Sequence, residues 1–374
     1  MKKFILPIAA IALTLGFGAC SNDKDEPGTP TPPPTPEQSR SNGAFIVNAG
    51  SMYSNIDGSL EYIDYSTNNV INDVFKSVNQ GQTIGDTFND GYILDDEIYL
   101  AVTDSKVLHI IDREDYKLEK TISTADYNGG PRHITSYNGM IYMTLFGMPG
   151  YLAEVDPEKE EITRTLEVGP LPEYVCAFND MLYVAVSDGY GDGSQACVAV
   201  VDPKSFTVTK RITGVVNPVN LVTNGTQLFV CAWGQYMSEP PYSQYNYGAY
   251  EIVNNTLSEK ICDATDIWIK DNYLYYISFP YGFDNDTLKY GLYNTSTKED
   301  TSWIDSKDGV DYPVGGAVDP SSGDVFILSY ELGEGGFASY STPGYVKRYK
   351  ADGTFVARYQ TGVGPVSMFF NVYE

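Results

Sequence analysis

Two histidines, His109 and His133, are all that the 374-residue chain offers, and this scarcity bounds the chemistry it can do. A three-His metal centre is impossible. A Ser-His-Asp arrangement could draw only on His133, because His109 lies within the strand-like run Val107-Leu108-His109-Ile110-Ile111-Asp112. No Gly-x-Ser-x-Gly motif occurs. With 49 Asp and Glu residues, carboxylate pairs for glycoside hydrolysis could be drawn from many loops, and linear spacing brings no particular two together. Asp188-Gly189-Tyr190-Gly191-Asp192-Gly193 and Asp284-Asn285-Asp286 could offer oxygens to calcium, but neither has EF-hand spacing. Aromatic chemistry is what the chain has in quantity: 31 Tyr, 16 Phe and 3 Trp. Tyr and Trp join a flat apolar body to a polar tip, which suits holding a broad ligand or a protein partner. The expectation is a binding protein and not an enzyme, with no metal site and no required cofactor.

The elements that must position these aromatics repeat along the chain. Met140-Ile141-Tyr142-Met143 leads to Leu152-Ala153-Glu154-Val155-Asp156-Pro157 and then to Thr165-Leu166-Glu167-Val168-Gly169. Met181-Leu182-Tyr183-Val184, Val198-Ala199-Val200-Val201-Asp202-Pro203 and Arg211-Ile212-Thr213-Gly214 say the same again. Aligning copies on these runs gives seven, with the Asp lost or blurred in the fifth to seventh. Short runs rich in Val, Ile, Tyr and Thr, bounded by Asn-Gly, Asn-Asp and Asp-Pro turns, read as strands, and no helical period appears. Residues 43–374 shared among seven copies give about 47 residues each, as expected for four-stranded propeller blades. The first copy lacks the strand that should precede Phe45-Ile46-Val47, and the last is followed by an orphan, Pro365-Val366-Ser367-Met368-Phe369-Phe370-Asn371. The sequence therefore predicts an all-β, seven-bladed β-propeller whose terminal blade is closed by the C-terminal strand.

In such a ring the loops from second to third strands and the blade-to-blade connections open on one face, where function concentrates. Blade two has a minimal Thr103-Asp104-Ser105-Lys106 there, whereas blade five runs from Trp233 to Gly248 and blade seven from Ser329 to Gly344, with Phe337 and Tyr340 inside. The same face receives Met52 and Tyr53, Phe146 and Met148, Tyr190, and Tyr281 and Phe283. Junctions add Arg132 and His133, Glu173 and Tyr174, Asn217 and Asn220, and Tyr312 before Pro313. Some of these aromatics are expected to pack on one another and steady the longer loops.

Residues 1–19 read as a secretory leader: Met1-Lys2-Lys3, an apolar run from Phe4 to Phe17, then Gly18-Ala19. The run is too short for a membrane span. Gly18-Ala19-Cys20 resembles a bacterial lipobox, which implies lipidation of Cys20. Residues 20–42 continue as an acidic Ser21-Asn22-Asp23-Lys24-Asp25-Glu26 segment and a Pro-rich spacer. A formal net charge of −25 argues against nucleic acid and against direct adsorption to anionic lipid. Cys176, Cys197, Cys231 and Cys262 lie in or beside strands without CxxC spacing, so zinc is not expected and buried free thiols are.

The Val-Val-Asp-Pro turns and Gly-x-Pro junctions such as Gly362-Val363-Gly364-Pro365 resemble the YncE or YVTN group of propellers across residues 43–374. Together with the Lys24-Asp25-Glu26 tag, the chain is similar to the BtuG-like surface lipoproteins of Bacteroidota. That resemblance implies an outer-membrane, cell-surface, lipid-anchored protein that captures a corrinoid (cobalamin, vitamin B12) and passes it to a TonB-dependent outer-membrane transporter. On this reading the ligand-binding residues are Tyr53, Arg132, Phe146, Tyr174, Tyr190, Trp233, Tyr236, Tyr281 and Tyr312. A surface glycan-binding or adhesion propeller would use the same aromatics as sugar platforms, and a lactonase or lyase would need a metal or an acid-base pair at the channel.

Overall fold

The computed structural model describes residues 40–190, 193–282 and 287–373. The leader over 1–19, Cys20 and most of the linker lie outside the described residues, as do Gly191, Asp192, Phe283 and Asp284-Asn285-Asp286. Among the described residues no helix is long and apolar enough to cross a membrane.

Seven four-stranded antiparallel sheets form the ring. Their innermost strands, Phe88–Leu94, Gly129–Tyr137, Pro172–Phe178, Pro218–Thr223, Asp266–Lys270, Pro313–Val318 and Pro365–Tyr373, each pack against the next around a central channel. Four of the seven begin with proline, a residue without an N–H to donate, at a strand's first position where it is tolerated. Blade one is composite: Arg40–Asn48, Ser59–Asp64 and Asn69–Ile71 come from the N-terminal side, and Pro365–Tyr373 supplies the inner strand.

Alternation along each strand explains why the strands read as nearly continuous apolar runs. In Ile98-Tyr99-Leu100-Ala101-Val102 all five residues are fully buried. Ile98, Leu100 and Val102 pack against blade one with Phe45 and Leu60, while Tyr99 and Ala101 pack against blade three with Ile141 and Met143. Every blade is thus the core of its neighbours, and both faces of each sheet are covered.

The repeated Asp is a turn device. Asp112 Oδ1 accepts the N–H groups of Glu114 and Asp115, both at 2.8 Å, and Asp64, Asp156 and Asp202 cap their third-to-fourth-strand hairpins the same way. Blade six keeps the device with Asn294, which accepts from Ser296 N–H at 2.9 Å and Thr297 N–H at 3.0 Å. Blade five replaces it by a two-residue hairpin, Asn254-Asn255, with φ of 50° and 57°. One short helix, Val74–Val78, lies between blades one and two; the Asp73 carboxylate accepts its Lys76 N–H at 3.2 Å, and Val74 and Phe75 are buried. Its five residues are too few to show a helical period in sequence. The four cysteines of the ring are buried and unpaired.

At the closing seam, Phe45 stacks on Phe369 with centroids 4.7 Å apart. Nearby, Glu61 is buried, held by Asn48 and by Ser59 Oγ at 3.0 Å, beside Gly362 of blade seven. Burial pushes its carboxyl up to about 7. Folded protein therefore holds this proton to about pH 7, while the unfolded chain releases it near its ordinary value of 4.5. Between those limits the folded state binds more protons, so Glu61's contribution to stability is full below about pH 4.5 and falls as pH rises to about 7. Urea unfolding from pH 4.5 to 7.5 should show a decline in the wild type that is shallower in Glu61→Gln; parallel curves would refute the assignment. Phe45→Ala should cost about 3–5 kcal/mol in the same assay, since a fully buried ring is removed from the seam. A loss below about 1 kcal/mol would mean the stack is not what holds the seam.

Candidate functional site

The long loop of blade five is a structured hairpin and not an open loop. Gly234 starts it with φ of 68°, where a Cβ would come within 2.2 Å of the Tyr245 carbonyl oxygen, so no other residue fits without a shift. Gln235–Tyr236 then pairs with Gln244–Tyr245, and Met237 N–H donates to Ser243 O at 3.0 Å. Gln244 is buried and works as a staple. Its Nε2 donates to Trp233 O at 2.7 Å, its Oε1 accepts Tyr281 N–H at 2.9 Å, and its own N–H donates to Tyr281 O at 2.9 Å. One amide side chain thereby fixes the blade-five hairpin to the blade-six loop.

Between these elements and blade seven lies a cavity of about 800 Å³ at the mouth of the channel. Such a volume lies in the usual range for ligand sites. Blade five contributes Trp233, Tyr236, Pro241 and Gln244; blade six contributes Thr265, Asp266, Ile277, Phe279, Pro280, Tyr281 and Gly282. Blade seven adds Tyr312, Pro313, Val314, Gly315, Tyr330, Gly336 and Phe337, and Val366 enters from the closing strand. Trp233 is oriented by its Nε1–H, which donates to Thr265 O at 2.9 Å and leaves the indole 41% exposed. Tyr236 and Tyr281 meet edge to face at 6.2 Å; Tyr312 meets Phe279 edge to face at 5.1 Å and lies tilted against Tyr330 at 6.1 Å. Burial pushes the Tyr330 hydroxyl up to about 12 and those of Tyr236 and Tyr312 upward, so all three remain hydrogen-bond donors at neutral pH.

Four of the nine residues singled out from sequence, Trp233, Tyr236, Tyr281 and Tyr312, line this cavity. The other five lie elsewhere. Arg132 bonds Glu173 at 2.8 Å and Asn89 Oδ1 at 3.1 Å, and its guanidinium lies 4.8 Å from the Phe146 ring centroid. Phe146 in turn meets Tyr190 edge to face at 6.3 Å. Tyr174 sits inside the channel, its ring 4.3 Å from that of His133, which also lies 3.3 Å from Asp90. Tyr53 stands on the blade-one loop, 93% exposed. His109 is structural in its contacts, 2.8 Å from Thr121 Oγ1 and 3.0 Å from Ile84 O, with its pKa lowered by burial. Among the described residues no three His, Cys, Asp or Glu side chains are grouped as a metal site requires.

Gln244, Phe279 and Tyr330 were not among the residues singled out, although the length of the blade-five and blade-seven loops pointed to the region. Asp266 and Gly315 carry no local sequence signal at all, since their place in the channel depends on register around the ring.

No known family profile matches the chain, and no curated protein matches it. Among solved structures, it is similar to a proposed 6-phosphogluconolactonase from Bacteroides uniformis, with 11% identity, TM-score 0.61, and coverage of 88% of this chain and 100% of that one. A protein of unknown function from Desulfotomaculum acetoxidans matches with 13% identity and TM-score 0.57, over 88% of this chain and 99% of the other. Hydrazine synthase of Kuenenia stuttgartiensis matches with 14% identity and TM-score 0.54, over 74% and 91%. At such identities the likeness is one of fold, the β-propeller.

The staple gives a direct test. Gln244→Ala leaves the Trp233 carbonyl and the Tyr281 N–H without their side-chain partner, at a cost of about 1–3 kcal/mol concentrated in the two loops. Amide hydrogen exchange should speed up at residues 235–245 and 281–282 while the blade strands stay protected. Unchanged exchange in both loops would show that the hairpin is held by something else.

Proposed function

We propose that this propeller is a capture protein for a corrinoid such as cobalamin, which it holds at the channel mouth over blades five to seven. The observation that carries the reading is the cavity itself: about 800 Å³, walled by Trp233, Tyr236, Tyr281, Tyr312, Tyr330 and Phe337, with polar groups at its base. A corrinoid is a wide disc with amide-bearing edges. Flat aromatic walls suit its faces, and tyrosine hydroxyls that stay protonated can meet its rim. Phe337, 77% exposed on the blade-seven loop, offers an apolar edge for the ligand to cover. Binding in this form needs no cofactor and no chemical step, and the protein would not be an enzyme.

The leader and Cys20 support an anchored, surface-exposed location on the outer membrane, with the Pro-rich segment as spacer. Tethering would raise the concentration of loaded propeller beside a TonB-dependent transporter and make hand-over effectively intramolecular. The partner in this reading is the transporter, and the membrane is reached through the lipid alone.

Gel filtration of the purified protein with cyanocobalamin at micromolar concentration should carry the red chromophore into the protein peak. Alanine at Trp233, Tyr236 and Tyr281 together should remove most of that colour while the circular dichroism spectrum is kept. A colourless wild-type peak would refute corrinoid capture; a fully coloured triple variant would move the site. Retention on immobilised oligosaccharides in place of corrinoid would instead assign the same aromatics to glycan binding.

A further inference from the structure

The channel below the aromatic cavity is lined by one residue from each blade at the same level. Asp90, Asn220, Asp266, Gly315 and Ser367 each pair with the penultimate residue of the second strand in their blades. His133 and Tyr174 reach the same level through the bulges of blades three and four. Six of these seven positions carry polar side chains. The seventh, Gly315, leaves a gap, and that gap is part of the cavity floor along with Asp266.

Asp266 is only half satisfied. Its Oδ1 accepts Asn220 Nδ2 at 2.8 Å and Ile267 N–H at 2.9 Å. Oδ2 points to the gap: a Cβ built on Gly315 would stand 3.7 Å from it. No ion pair holds this carboxylate among the described residues, and the residue is half-buried at the cavity floor. Asn220 spends its Nδ2 on Asp266 and on Ile267 O at 3.1 Å, and its Oδ1 is buried without a partner. Asp266 Oδ2, at the floor of the pocket, is thus an acceptor without a donor among the described residues, and Asn220 has no N–H left to give it. Leaving such groups unpaired is costly unless something that binds there supplies the N–H.

The floor also joins the wall. Thr265, whose carbonyl orients the Trp233 indole, immediately precedes Asp266, so an occupant on the indole is held at a fixed height above the acid. Asp90 lies in the same ring, while His133 lies against it at 3.3 Å, so anionic groups are disfavoured and donors favoured.

We propose that Asp266, with Gly315 providing the slot, forms a subsite that accepts an amide N–H of the bound ligand and discriminates against a carboxylate in the same place. This rests on the corrinoid reading, and it adds which part of that ligand is read: a peripheral carboxamide arm directed into the channel.

The test compares cyanocobalamin with its monocarboxylic acid derivatives, in which one peripheral carboxamide is hydrolysed to a carboxylate, by titration of the purified protein at pH 7.5. At least one derivative should bind the wild type ten-fold or more weakly than cyanocobalamin. Asp266→Asn keeps a carbonyl for Asn220 and Ile267 and turns only the cavity-facing atom into a donor. It should weaken cyanocobalamin about ten-fold and bring the discriminated derivative to within about three-fold of it, with an unchanged melting temperature. Equal binding of all derivatives by the wild type overturns the subsite even if the variant does not fold. So does wild-type affinity in a folded Asp266→Asn while the aromatic triple variant loses binding, and in that case the corrinoid reading stands. No corrinoid binding by the wild type sinks both.

Discussion

The ring depends on one antiparallel pairing, that of Arg40–Asn48 with Pro365–Tyr373. Without it, blade one would lack its inner strand, and the edge of Arg40–Asn48 would be open to any passing strand. The pairing closes a loop of more than three hundred residues, but closure entropy grows only logarithmically with length, so local contacts can offset it. They are concentrated at the seam. Ala49 and Gly50 donate to the Gly364 and Val363 carbonyls at 2.6 and 2.9 Å, Ser41 Oγ donates to Asp319 at 2.6 Å, and Arg113 Nε donates to Asn371 at 2.8 Å while its guanidinium lies 4.1 Å from the Tyr373 ring centroid. Blades two and seven are thus both tied to the composite blade. Because Val366 of the closing strand also lines the cavity, the pocket is complete only when the ring is.

The same closure explains how much the sequence could reveal. A strand covered on both faces must be apolar at nearly every position, and a hairpin capped by its own Asp must show that Asp, so the copies look alike and can be counted. Where the phrase breaks, the cause is local turn chemistry. Asn294 does in blade six what Asp does elsewhere, and the left-handed pair Asn254-Asn255 makes the Asp unnecessary in blade five. These turns stand at the end of the strands opposite the cavity, since second-to-third and third-to-fourth connections of an antiparallel sheet leave on opposite sides. The coincidence of lost Asp residues with the cavity-bearing blades is therefore not a functional signal. Loop length and aromatic content instead mark blades five to seven, where the cavity lies.

What sequence could not separate is an aromatic that is available from one that is already engaged. Phe146 and Trp233 both stand at the end of a second strand, but Arg132 lies over the face of Phe146 and is itself held by Glu173 and Asn89, whereas the Trp233 side chain is tied by its indole N–H. Asp266 shows the same limit for polar groups. Along the chain it is one acidic residue among 49, and only the register of seven blades sets its free oxygen opposite a glycine.

The two sides of the face consequently differ in what they have left to offer. Over blades three and four, cation, carboxylate and ring satisfy one another, and a ligand arriving there would have to break an ion pair whose partners are largely shielded from solvent before gaining a contact. Over blades five to seven the hydrogen bonds of Gln244 and Trp233 are spent on backbone, which fixes the walls while Trp233, Tyr281 and Phe337 stay exposed. Rigid walls lose little entropy when a broad ligand is placed between them, and that preorganisation is what the proposed capture role would need. The long loops therefore matter less for their reach than for the rings they leave exposed, Trp233, Tyr281 and Phe337.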